Sequence, residues 1–134
     1  MDRLTLSRVL QTNAFTSAIG GAVAALVPGW LDGWLDTGRP GWVRVVGIGL
    51  ILFAAAVGLG SRLGGDRLRS AAQTTSVADG LWVVASIVTV AAGWYSGAGS
   101  IMVGVVAVAV GFFCIAQLVL ASRSGTTRAS AALP

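Results

Sequence analysis

Lysine, glutamate and histidine are missing from this chain, so its charge rests on nine arginines and five aspartates. Without lysine there is no Schiff-base amine. Without histidine there is no imidazole general base and no histidine ligand for a metal or haem. The single cysteine, Cys114, excludes an internal disulfide and a CxxC redox pair. Charge of either sign is scarce. Only 10% of the 134 residues are charged, against roughly 25% in a soluble domain. What fills the space is apolar: 55% of residues are hydrophobic and the mean hydropathy is +0.83. This is the composition of a membrane protein, and its length allows one domain, residues 1–134. The pI near 11.1 does not point to nucleic acid, because the arginines sit at the ends of apolar runs, where topology and anionic lipid explain them. The arginine-for-lysine, Ala/Gly/Val-rich usage suggests a bacterium of high GC content.

About 20 mostly apolar residues cross a bilayer as helix, and four such runs are present, at about 6–27, 42–61, 77–95 and 101–121. The first is polar in its opening half, with Gln11, Thr12, Asn13, Thr16 and Ser17. Those residues interrupt any signal-peptide core, and Pro28-Gly29-Trp30 is no small-residue cleavage site, so the first run reads as a retained helix. The tandem repeat Gly29-Trp30-Leu31-Asp32, Gly33-Trp34-Leu35-Asp36 follows. A period of four stacks like on like along a helix, which predicts a short helix from Pro28 to Asp36 in the headgroup layer, with Asp32 above Asp36. Trp30, Trp34 and Trp42 are its expected interfacial anchors. Arg44 is placed to reach Asp32 or Asp36. Residues 62–75 read as a loop, Ser96 to Gly99 as a tight turn between the third and fourth spans, and 122–134 as a disordered tail. The expected fold is all-α: a transmembrane four-helix bundle, up-down-up-down, with a short interfacial helix after the first span. Arg3, Arg8, Arg62, Arg67, Arg69, Arg123 and Arg128 fall on one side of it and only Arg39 and Arg44 on the other. The positive-inside rule then puts both termini in the cytoplasm of a bacterial inner membrane.

Asn13-x-x-x-Ser17 in the first span, Gly47 to Ala54 (GIGLILFA) in the second, Ala78-Asp79-x-x-Trp82-Val83-x-x-Ser86 in the third and Ala116-Gln117 in the fourth resemble a group of small four-span bacterial membrane proteins without assigned function. The resemblance covers nearly the whole chain and implies the four-span architecture, with no activity attached.

Folded antiparallel, the spans bring Asn13, Ser17, Asp79, Ser86 and Gln117 to the arginine-rich half, and this is the candidate polar cluster. Stripes of Asn13, Ser17 and Gly21, of Asp79, Ser86 and Gly93, and of Gly104, Gly111 and Cys114 offer small or polar faces for helix contact. Ser76-x-x-Asp79 ahead of an apolar run reads as a capping box, which would hold Asp79 shallow in the first turn of its helix. The alternative turns Asp79 inward to Asn13, Gln117 or Arg8. No nucleophile–base pair or metal-ligand set can be assembled, so neither an enzyme nor a metal or cofactor is expected. The expected function is a membrane scaffold or accessory subunit that works by helix packing, as a homo-oligomer or in a larger membrane complex, with the bilayer itself as a partner. The alternative is a small oligomeric transporter or channel, or a binder of lipid or small solute, using the polar cluster.

Overall fold

The computed structural model describes the backbone of residues 2–131 and the side chains of 4–124. It is an all-α bundle of five helices: α1 (Asp2–Leu26), α2 (Pro28–Leu35), α3 (Pro40–Gly60), α4 (Gly65–Ala91) and α5 (Gly97–Ala131). Four of them, over Leu4–Leu26, Pro40–Gly60, Gly65–Ala91 and Gly97–Ser124, are long and apolar enough to cross a membrane. The chain is therefore a multi-pass membrane protein.

Each boundary has a local cause. A residue before proline is pushed out of the α region, and Val27 (φ −127°, ψ 51°) ends α1 while Pro28 opens α2. α2 stops at Asp36, which turns left-handed at φ 59° and donates its N–H to the Asp32 carbonyl. At the end of α4, Gly93 takes φ +71°. Its N–H reaches the Val90 carbonyl at 3.0 Å and that of Trp94 reaches Thr89 at 3.2 Å, a Schellman closure. Gly93 is thus a turn residue and does not extend the Asp79–Ser86 contact stripe. Ser96 then caps α5, its Oγ accepting the Gly99 N–H at 3.0 Å.

Successive long helices run antiparallel. Ser7 of α1 donates to the Ser61 carbonyl at the end of α3 at 2.7 Å, whereas Gly21 of α1 meets Gly47 near the start of α3. That crossing has no room for a side chain. A Cβ on Gly47 would lie 2.5 Å from the Ala25 nitrogen and 2.7 Å from the Gly21 oxygen. Small residues at such crossings let backbones approach, which substitutes for the missing hydrophobic drive between helices in lipid. α4 and α5 form the second tight pair, and α1 also packs on α5. At the end that holds Arg8, Arg62, Arg67, Arg69 and Arg123, a core of Leu6, Leu10, Ala14, Val57, Leu68, Ala72 and Ala121 joins all four long helices.

Three sequence expectations are corrected here. Residues 65–75 are not loop but the first three turns of α4, whose buried Leu68, Ala72, Thr75, Ser76 and Asp79 follow helical spacing. Only residues 61–64 connect α3 to α4. α5 likewise continues as helix to Ala131, where a disordered tail was expected from 122; residues 132–134 lie outside the described chain. The tight turn after α4 spans 92–96, so Gly97 and Gly99 belong to α5.

The interfacial helix forms over Pro28–Leu35. Trp30 and Trp34 are exposed, as is Trp42, and the first two meet edge to face with centroids 6.5 Å apart. Trp94, exposed at the same end, joins this belt. The acidic stack is absent. Asp32 turns inward and accepts the Thr37 N–H and hydroxyl, while Asp36 is exposed beyond the helix end. Arg44 donates from Nε to the Ala25 carbonyl at 3.3 Å. Nor is α2 a loose surface anchor: Ser96 donates its N–H to the Leu35 carbonyl at 3.0 Å and its hydroxyl to that of Trp34 at 2.8 Å. Gly99 allows this docking, since a Cβ there would lie 2.9 Å from the Leu35 Cα and carbonyl oxygen. Gly99→Ala is expected to cost about 1 kcal/mol and to show first as easier collisional quenching of Trp34. Unchanged quenching would count against the docked arrangement.

Candidate functional site

Three helices converge on one carboxylate. α4 carries Asp79 ten residues beyond Arg69, about 15 Å along the axis at 1.5 Å per residue. Its partners Asn13 and Gln117 lie five residues inside Arg8 and six inside Arg123, about 8–9 Å along their own axes, so the carboxylate sits in the arginine-rich half of the bundle. Asp79 Oδ2 accepts Nδ2 of Asn13 on α1 at 2.8 Å and Nε2 of Gln117 on α5 at 3.2 Å. Both amides are supplied in turn by a serine. Ser17 Oγ donates to Asn13 Oδ1 at 3.3 Å, and Ser76 Oγ donates to Gln117 Oε1 at 3.4 Å. Two hydrogen-bonded chains, Ser17–Asn13 and Ser76–Gln117, therefore end on the same oxygen, an arrangement in which each bond polarises the next. Ser76 also lies 3.3 Å from the Cys114 carbonyl, and the Cys114 thiol donates back to the Ser76 carbonyl at 3.3 Å.

The cluster is shut away. Asn13 is 1% exposed, Asp79 3% and Gln117 0%. Leu10, Ala72 and Ala121 close it toward the arginine-rich end, and Ala54 and the Gly21–Gly47 crossing lie on its other side. An unpaired amide in hydrocarbon costs several kcal/mol, which is why polar groups on three separate helices settle in one layer. Chemically, the arrangement concentrates donors on a carboxylate. No hydroxyl or thiol nucleophile meets a base in it, since Ser76 and Cys114 both donate to carbonyls.

Of the five candidate residues, Asn13, Asp79 and Gln117 are brought into direct contact and Ser17 joins through Asn13. Ser86 is not brought in. It is buried two turns along α4 and bonds the Trp82 carbonyl of its own helix at 2.8 Å. Thr16, in the same polar stretch as Asn13, faces outward and bonds carbonyls of its own turn. The capping-box reading of Ser76 and Asp79 fails because both lie in the interior of α4. Of the alternatives for an inward Asp79, Asn13 and Gln117 are the partners found. Ser76 is the member that sequence reasoning assigned elsewhere. Its position one helical turn before Asp79, on the face of Leu68 and Ala72, was the available signal. Gly111 sits 3.8 Å, as a Cβ, from Val83 and so belongs to the α4–α5 seam, whereas a Cβ on Gly104 would meet open space.

No family model, curated protein or solved structure matches the chain.

Proposed function

We propose that this is a bacterial inner-membrane protein that works as a scaffold or accessory subunit through helix packing, alone as a homo-oligomer or within a larger membrane complex. The observation that carries the reading is the closure of the polar layer: the amides of Asn13 and Gln117, with their serines, end on Asp79 across α1, α4 and α5, and Ser86, buried beyond them toward the tryptophan end, bonds only its own helix. Such bonds between membrane helices hold a bundle in register. The outward faces are large and apolar, with Leu52, Leu81, Ile87, Val108, Phe112 and Ile115 among their exposed residues. No catalytic role is assigned to any residue. The runner-up, an oligomeric transporter, channel or solute binder, draws its support from Asp79, because a carboxylate buried within a membrane-spanning bundle is a frequent mark of an ion or proton path. The resemblance to small four-span bacterial membrane proteins is in keeping with either reading.

Extraction into nanodiscs followed by native mass spectrometry tests the two. A stoichiometric second copy or foreign subunit is the expected result. A bare monomer whose proteoliposomes pass a solute in an Asp79-dependent way would replace the scaffold reading with the transporter. Topology is tested separately. Both termini and the connection at 61–64 belong to the cytoplasmic side, because that end carries most of the arginines. Thr126→Cys in a Cys114→Ala background is expected to resist an impermeant thiol reagent in intact cells and to react after lysis. Labelling without lysis would invert the bundle.

A further inference from the structure

Away from the polar layer, an open groove of about 470 Å³ runs between α1 and α3 on the outer face of the bundle. It is lined by Gln11 and Ala14 on one side and by Ala55, Gly58 and Leu59 on the other, with Arg62 at its mouth. The groove exists because its floor is made of the smallest side chains. A Cβ on Gly58 would just touch that of Ala14, at 3.9 Å, and neither residue fills the space above. It begins at the end of α3, where Ser7 ties the two helices by bonding the Ser61 carbonyl. From there it extends six residues inward to Ala55, about 9 Å along the helix. The mouth therefore lies at headgroup level and the floor in hydrocarbon.

Its charge fits one kind of occupant. Arg62 lines the mouth, and Arg8, exposed one turn before Gln11, stands on the same side of α1. A guanidinium offers a planar fork of donors that matches a phosphate, and the Gln11 amide, which donates to Ser7 Oγ at 3.4 Å, lines the same groove. Below this polar lip everything except the helix backbone is apolar. We propose that the groove holds one anionic phospholipid, its phosphate against Arg62 and one acyl chain along Gly58, Ala55 and Ala14. Free phosphate would use only the lip, and a zwitterionic lipid would bring a cationic headgroup toward Arg8 and Arg62. The site requires only that the bundle lie in a membrane. It is independent of the scaffold reading and of which leaflet the arginine-rich end faces.

The test is lipid retention. The protein is exchanged into detergent with equal phosphatidylglycerol and phosphatidylcholine and weighed by native mass spectrometry. Wild type should keep one phosphatidylglycerol per chain and little phosphatidylcholine. Loss of one charge-assisted bond to phosphate predicts an about tenfold fall in retention for Arg62→Ala. Ala55→Phe, which fills the floor from an exposed position, should lower retention comparably. Arg39→Ala, at the other end, should leave retention unchanged, and circular dichroism should show all three variants equally helical. Equal retention of the two lipids, or undiminished phosphatidylglycerol on Ala55→Phe, would overturn the proposal. So would release of the lipid by millimolar inorganic phosphate, which would mark an anion site without an acyl groove.

Discussion

Gly47→Leu is expected to break the α1–α3 seam and lower the stability of the bundle by about 3 kcal/mol or more. The reason is geometric. The atoms a new Cβ would meet are Ala25 N, Gly21 O and Ala24 C, at 2.5 to 2.8 Å. All of them are helix backbone, and none can move aside as a side-chain tip would, so the helices must separate along their length. Separation would also pull Asn13 away from Asp79, since α1 is held in place by both contacts. Gly49→Leu is the matched control, two residues along the same helix, where a Cβ meets nothing within 4 Å. It should change stability by no more than about 0.5 kcal/mol. Unfolding by SDS titration in mixed micelles reads both. Equal losses in the two variants would mean that α1 and α3 do not cross at Gly21 and Gly47.

Asp79→Leu should be the most damaging change in the polar layer, because two donors lose their acceptor at once. Asn13 Nδ2 and Gln117 Nε2 share Asp79 Oδ2, and leucine leaves both buried with no bond. Leaving a buried donor unsatisfied costs about 1–3 kcal/mol, and a loss near 2 kcal/mol is expected. Asp79→Asn keeps an oxygen in place for both amides. Bonds between membrane helices average about 0.6 kcal/mol, so the asparagine variant should stay within about that much of wild type. A leucine variant as stable as wild type would show that the two amides find other partners and that the layer does not hold the bundle together.

The four spans and the interfacial helix are legible in the sequence because both are local. Apolar runs of the right length mark the spans, and a four-residue repeat behind Pro28 marks α2. The meeting of Asn13, Asp79 and Gln117 is also within reach, since antiparallel folding and a fixed rise per residue place them at one depth and hydrocarbon forces them to pair. What local reading misses is where helices begin and how they rotate. Arg67, Arg69 and Gln73 make the start of α4 look like loop by hydropathy, although Leu68, Ala72 and Thr75 already repeat at helical spacing. Once α4 starts at Gly65, Ser76 can no longer cap it and Asp79 can no longer be shallow. Asp32 turns to Thr37 and Ser86 to Trp82, choices among local partners that hydropathy does not rank, whereas the docking of Ser96 on α2 depends on contact between segments far apart in the chain. So does the closeness of Gly21 to Gly47, which no window on either helix contains.

The central claim is that the Asp79 layer serves packing, and the most direct test separates folding from association at that residue. Wild type and Asp79→Asn would be extracted side by side into nanodiscs, checked for equal helicity and weighed by native mass spectrometry. The account predicts the same assembly in both, with the same copies and the same subunits. An asparagine variant that folds with wild-type helicity but loses its partner copies or subunits would contradict it, and would make Asp79 a functional group rather than a structural one.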